Sequence, residues 1–594
     1  MGKSNEGWID AGAVPEIPAG EPVSITAGTR DLVLVRATSG LKVFEGRCPH
    51  QGALLGEGEV ADGRLICRNH RWKFDCESGE RQGGSSVCLA RYEHRVTEGR
   101  LEVYLEEAST TEQSPEVSSV KLRVPEELPG PKGALLLGNA KQIDPEHFHN
   151  NLEDWAEQYG TPYTFRLAHQ RLVAFSDPKV IAQVLRERPD TFRRARRVKP
   201  IFDELGIDGV FSAEGAAWRP QRKLAIAALS HRNLKNFYGV LADMAERLRL
   251  RWLRVADTGR VLNIQEDLMR FTVDVTTMLT FGHDANTLEK GSDVIQRHME
   301  KVFPALSRRL QAPLPYWRVL KLAKDRDVDK AVSALRSWLA PIVEETRSRL
   351  AADPEIAKNP TNFLESMLSS RDENGQPFSE KRIFGNALTM LLAGEDTTAN
   401  TLAWAVHELL DRPESVGRLH DELDAALGAH HVPASRETAQ GLTFATAVAN
   451  ETMRLRPVAP LLLADANKEV VIDNVLITEK TAIALLIRTA ALDDAVMPNG
   501  KSFIPERWLD PSTAEAAQQK LVHIPFGSGP RICPGRSLAL LEMNIVLSVL
   551  YKNFEVDRVG KSSDVEELFS FTMIPTNLRV KLRRRRPQPA PNSK

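Results

Sequence analysis

Cysteine is scarce in this chain: five in 594 residues, far too few for a disulfide framework in a protein of this size. Excess charge is missing too, with Lys+Arg 78 against Asp+Glu 79, which removes the electrostatic reason to propose a nucleic-acid partner. No apolar run approaches the length of a membrane-spanning helix. The opening MGKSNEGWID has no apolar core of a secretory signal, and Glu6 stands where an N-myristoylation motif needs Ser or Thr. A cytoplasmic protein without an integral membrane anchor is the resulting expectation.

The five cysteines are unevenly spread. Cys48, Cys67, Cys76 and Cys88 fall in the first hundred residues, and Cys533 stands alone near the other end, which predicts two separate pieces of sulfur chemistry. The chain is also too long for a single hydrophobic core. Up to residue 105 it reads as short strands and turns: Leu32–Val35 and Leu41–Phe44 flank Ser39-Gly40, and a hairpin is predicted from Tyr92 to Tyr104 around Glu98-Gly99. Residues 106–121, poor in large apolar side chains, read as a flexible linker with a coil span of roughly 20–25 Å. Long helical patterns follow, including Leu234 to Val255 and Ile383 to Leu410. The expected organisation is multidomain: an all-β module over 1–105, the linker over 106–121, a mainly-α (α+β) domain over 122–582 and a frayed basic tail over 583–594.

Cys48-Pro49-His50 and Cys67-Arg68-Asn69-His70 each pair one thiolate with one imidazole. A 2Fe-2S cluster can take both thiolates on one iron and both imidazoles on the other, which raises its potential; a Cys2His2 zinc site uses the same ligand types. The surroundings, with Gly52 after the first pair and Trp72-Lys73-Phe74-Asp75 after the second, decide for iron and sulfur. Here the sequence resembles the Rieske family. The positions at which respiratory Rieske proteins carry a bridging cysteine pair are Ala53 and Asn69, so the resemblance is to the ferredoxin type, with Cys76 and Cys88 expected to pack as small apolar residues. The proline usual after the second pair is replaced by Gly83-Gly84-Ser85-Ser86.

The decapeptide Phe526-Gly527-Ser528-Gly529-Pro530-Arg531-Ile532-Cys533-Pro534-Gly535 places one cysteine among glycines that let a backbone approach a flat cofactor. It resembles the haem-binding loop of the cytochrome P-450 family, which implies heme b held by Cys533, with Phe526 and Arg531 beside it. Other motifs follow the family's order: Glu451-x-x-Arg454 with Arg507, Trp218-x-x-x-Arg222, and Ala393-Gly394-Glu395-Asp396-Thr397-Thr398. The resemblance implies that Trp218, Arg222 and Arg531 hold haem propionates and that Ala393 and Gly394 leave space above the haem. Asp396 and Thr397 would relay protons to bound dioxygen. Two positions depart from pattern: Ala464 replaces a propionate-binding arginine, and Ala491-Leu492 replaces a His-Arg pair.

Monooxygenation of a hydrophobic small molecule is therefore expected, with dioxygen as co-substrate. No flavin or nicotinamide domain is visible, which implies a separate NAD(P)H-dependent ferredoxin reductase that loads the Rieske cluster once per electron. Tethering alone would deliver those electrons by mass action, without a tight interface. The substrate pocket is expected around 196–212 and 289–318. The rival classes are a haem-thiolate isomerase or dehydratase, and a redox sensor or carrier without substrate chemistry. A ring-hydroxylating Rieske oxygenase would need a D-x-x-H-x-x-x-x-H iron motif, which the chain lacks.

Overall fold

The structure is a computed structural model that describes residues 7–15, 17, 20–28, 30–83, 87–105, 122–290, 294–312, 314–510, 512–513, 517 and 521–585. The expected linker and residues 84–86 of the loop that replaces the usual proline lie outside the described residues.

The N-terminal part is all β. Strands Val23–Ala27, Arg30–Ala37, Gly40–Glu45 and Arg91–Tyr92 form one sheet, and Trp8–Ala13, Arg100–Tyr104 and His94–Thr97 a second. The predicted turn at Glu98-Gly99 is present, with both residues at positive φ. Strand Arg30–Ala37 is buried on both faces, and the two-residue period divides its side chains between two cores. Val33 and Val35 pack with Phe44, Leu65 and Phe74 beside Cys48 and Cys67; Leu32 and Leu34 pack with Val43, Leu101 and Val103. A small sheet, Glu59–Ala61, Arg64–Ile66 and Lys73–Asp75, holds the two ligand-bearing loops apart at a fixed spacing.

The C-terminal part is mainly helical, with small sheets at its side. Its central helix, Glu380–Leu409, starts at Ser379, whose hydroxyl accepts from the Arg382 amide. It is buried nearly all round, as an interior helix should be. It packs along the Ile264–Phe281 helix so closely that a Cβ on Gly394 would lie 2.3 Å from Thr276 Oγ1. Gly394 therefore serves helix–helix contact, whereas the expectation gave it space above a haem. Gly394→Ala is expected to cost about 1–3 kcal/mol, the range for overpacking, measurable as a lower urea midpoint. A five-stranded sheet runs in the order Tyr163–Leu167, Gln170–Phe175, Ala482–Leu486, Leu461–Ala466, Phe192–Arg194. In it Arg194 stands opposite Ala464.

Two expectations fail locally. The chain does not fray at Arg583: strand Arg579–Arg584 pairs with Phe554–Val559, and Arg583, Arg584 and Arg585 meet Asp557, Asp257 and Asp424. Opposite charge, unseen in a local window, turns a run of arginines into an ordered edge. Cys88 is exposed, with Sγ 3.4 Å from the Ser78 carbonyl, whereas Cys76 is buried as expected. Among the described residues, no helix is long and apolar enough to cross a membrane.

Candidate redox and oxygenation sites

In the N-terminal domain the four predicted ligands converge. The Cys48 and Cys67 thiols are hydrogen-bonded to each other, which holds one proton on Cys48 and favours thiolate at Cys67. The rings of His50 and His70 lie 4.5 Å apart, and His50 stacks on Trp72 at 4.4 Å. Burial, reinforced by nearby arginines, pushes His50 down to about 4 and His70 to about 2. Both imidazoles are thus neutral, as metal ligands must be, and His50 Nδ1 is buried without a partner. This donor set fits a two-thiolate, two-imidazole cluster. The two loops are joined by a side-chain hydrogen bond, Asn69 Nδ2 donating to Gln51 Oε1 at 3.2 Å.

Cys533 ends a loop whose Gly527 and Gly529 both have φ +75°. Its amide donates to the Phe526 carbonyl at 2.9 Å, and helix Arg536–Asn553 begins three residues later. Burial pushes the thiol up, opposed by the Gly535 amide and by the Arg222 and Arg68 guanidinium groups. The helix N-terminus adds to that opposition. Cys533 is nonetheless accessible, as is Ala393 on the central helix. Two accessible residues set among buried neighbours suit a flat cofactor between loop and helix.

Behind the loop, Glu451 and Arg454 are both fully buried, their charges 2.8 Å apart. Arg507 and the Trp508 indole also donate to Glu451, and Arg454 donates to the Ala491 and Gly500 carbonyls. The Glu451-x-x-Arg454 motif and Arg507 thus form one buried brace, and the Ala491 backbone serves it although its side chain cannot.

The predicted acid–alcohol pair divides. Thr397 Oγ1 donates to the Ala393 carbonyl at 2.9 Å, a helix-local bond. Asp396 turns away to accept from Asn400 Nδ2 at 2.8 Å and from the Thr572 hydroxyl. Burial raises its carboxyl to about 6 in spite of those two donors. Thr572 lies 176 residues further on, beyond the reach of any motif. The two segments expected to line the pocket do meet: Phe202, Phe211 and Phe303 surround Phe571 at ring distances of 6.0–6.1 Å, with Leu391 and Leu392 in the same cluster.

The three residues expected at the propionates come together but also meet the N-terminal domain. Trp218 is buried with Val210, Ala213 and Leu54 of that domain, and the Arg531 guanidinium lies 4.5 Å from its ring centroid. Arg222 donates to Glu57 of that domain and to the Ile532 carbonyl. Arg531 pairs with Glu214 at 2.7 Å while its Nε and Nη1 are buried without partners.

The N-terminal domain is seated on the Cys533 loop rather than merely tethered near it. Gln51 O accepts from the Gly529 amide at 2.8 Å and from Ser528 Oγ at 2.9 Å. Arg68 Nη2 donates to the Pro534 carbonyl at 2.6 Å, and Arg536 donates to the Asn69 carbonyl. Gly52 makes this approach possible: at φ +71°, a Cβ there would lie 2.9 Å from Arg186 Cγ and 3.3 Å from Gly529 Cα. Arg47 and Arg219 tie Asp190 and Asp31 across the same junction, and Ile532 and Phe526 pack on the N-terminal core.

Fold and site together define a thiolate-bearing helical domain with a sulfur–imidazole cluster domain docked on its ligand loop. The chain belongs to the cytochrome P-450 family, whose profile matches residues 128–582. The Rieske 2Fe-2S domain profile matches residues 7–93. These families carry haem iron and a 2Fe-2S cluster. The chain is 25% identical over 472 residues to a self-sufficient cytochrome P-450 monooxygenase, CYP505E5, of Aspergillus kawachii, covering 78% of this chain and 44% of that protein. It is 27% identical over 425 residues to the chloroplastic carotene epsilon-monooxygenase of Arabidopsis thaliana, covering 69% and 77%. A bifunctional cytochrome P-450/NADPH–P-450 reductase of Aspergillus oryzae is 27% identical over 479 residues, covering 76% and 41%. The chain thus spans less than half the length of the two Aspergillus relatives.

Proposed function

We propose that this protein is a monooxygenase that oxidises a hydrophobic organic molecule with dioxygen, its electrons passing through its own Rieske domain from a separate NAD(P)H-dependent reductase. The observation that carries the relay is the Arg68–Pro534 hydrogen bond. It joins the residue after the cluster ligand Cys67 to the residue after Cys533, so the two sulfur ligands are linked by a short run of bonds. The names of the relatives support oxygen insertion, and the aromatic cluster around Phe571 supports an apolar substrate.

Cys533 would hold a haem through its thiolate, and the sulfur-ligated iron would supply the chemistry that activates dioxygen. The residues around it supply protons and exclude water. Asp396, held near 6, takes up and releases a proton close to neutrality. Thr397 can exchange its helix-local bond to the Ala393 carbonyl for one to a ligand, whereas Asp396 reaches Asn400 and Thr572. Asp396→Asn, which keeps the Thr572 and Asn400 contacts in shape, is expected to lower product formation about 100-fold while oxygen consumption falls less. Stability shifts in parallel. A carboxyl raised from 3.8 to about 6 on folding binds its proton more tightly in the folded chain, so stability falls as pH rises through that window. The Asn variant should lack that fall in urea titrations.

The direct test is stoichiometry: with a surrogate ferredoxin reductase, NADH and dioxygen should be consumed in step with product. Product without their consumption would establish an isomerase or dehydratase instead.

A further inference from the structure

Each nitrogen of the Arg222 guanidinium donates to a partner. Nε and Nη2 hold the two Glu57 oxygens at 2.9 and 2.8 Å, Nη1 holds the Ile532 carbonyl at 2.7 Å, and the side chains of the ion pair are only 6% and 8% exposed. A bidentate, desolvated pair of this kind fixes geometry and is strongly destabilised when one partner is removed.

Around Arg531, whose guanidinium feels the Arg222 charge, the balance is reversed. Arg188, Arg194 and Arg531 gather around the single carboxylate of Glu214, with Arg193 at the edge. Among the described residues, Nε of all four guanidinium groups is buried without a partner, as is Arg531 Nη1. Buried donors without acceptors are costly. With Arg193 set aside at the edge, three guanidinium charges face one carboxylate, and a haem brings two propionates. Arg194 pairs across the sheet with Ala464, so their side chains share a face and the alanine methyl leaves the guanidinium room.

We infer that Arg222 anchors the Rieske domain through Glu57, and that Arg188, Arg194 and Arg531 form the propionate cradle, with Arg194 acting from the strand beside Ala464. The inference rests on the haem binding beside Cys533, not on the electron relay. The arginines near the haem thus have divided tasks: Arg222 couples the domains and the other three retain the cofactor.

Two measurements on the holoprotein separate these tasks without turnover. The first is haem transfer to excess apomyoglobin. Arg194→Ala is expected to lose haem about tenfold faster or more, the effect of losing a charged hydrogen bond, with Arg194→Lys intermediate, whereas Glu57→Gln stays within about twofold of the parent. The second is relaxation of the reduced-cluster EPR signal by the haem iron, a measure of domain docking. Glu57→Gln and Arg222→Ala should weaken it, and Arg194→Ala in the haem-loaded fraction should not. Retained haem in Arg194→Ala, or rapid haem loss in Arg222→Ala with docking unchanged in Glu57→Gln, would overturn the assignment. Failure of the relay would leave both readouts intact and show instead as a haem that its own reduced cluster never reduces.

Discussion

Cys533→Ser should abolish oxygenation while leaving the Rieske EPR signal unchanged. A serine hydroxyl is neither ionised at neutral pH nor a strong electron donor to iron, so the push that favours O–O cleavage is lost. The effect should stay local. Cys533 is accessible and does not help to fill a core, and the Gln51–Gly529 and Arg68–Pro534 contacts use the backbone carbonyls of Gln51 and Pro534, which the substitution leaves in place. Product analysis, the carbon monoxide spectrum and EPR of the same sample check the three parts together. Full turnover in the serine variant would remove the assignment of Cys533 as iron ligand.

The second large effect is on folding. Arg454→Leu should destabilise the haem domain by about 3–5 kcal/mol, the cost of leaving one partner of a buried ion pair uncompensated. The Glu451 carboxylate it strands is fully buried, with only the Arg507, Trp508 and Ile504 donors remaining. The Ala491, Gly500 and Ser502 carbonyls also lose their partner. Since those carbonyls belong to the segment that backs the Cys533 loop, haem content should fall with stability. Urea unfolding followed by far-UV circular dichroism and by Soret absorbance measures both. A midpoint unchanged from the parent would mean that the brace does not hold the loop.

Much of this was legible in the sequence because local motifs carry it. Each Cys–His pair lies within four residues, Cys533 sits in one decapeptide, and Glu451–Arg454 is a single helical turn, so the cluster domain, the thiolate loop and the brace follow from short windows. What escaped depends on residues distant in the chain. Glu57 is an unremarkable acid until Arg222 meets it 165 residues away. Arg68 is an ordinary loop arginine until Pro534 lies over it. The docked junction was accordingly missed, and tethering by a flexible segment was expected to suffice. Asp396 was found by its motif, but its partner Thr572 could not be. Arg194 carries no motif; its significance comes from sheet register opposite Ala464, which a linear pattern does not display.

The closing test is anaerobic. The cluster is reduced photochemically in the presence of carbon monoxide, and the thiolate-type long-wavelength Soret band is followed as the reduced-cluster signal decays. A docked junction requires the two to change together, with a first-order rate that does not depend on protein concentration. A rate that scales with concentration, or a band that never forms while the cluster stays reduced, would contradict an electron path running within one chain from the Rieske ligands to Cys533.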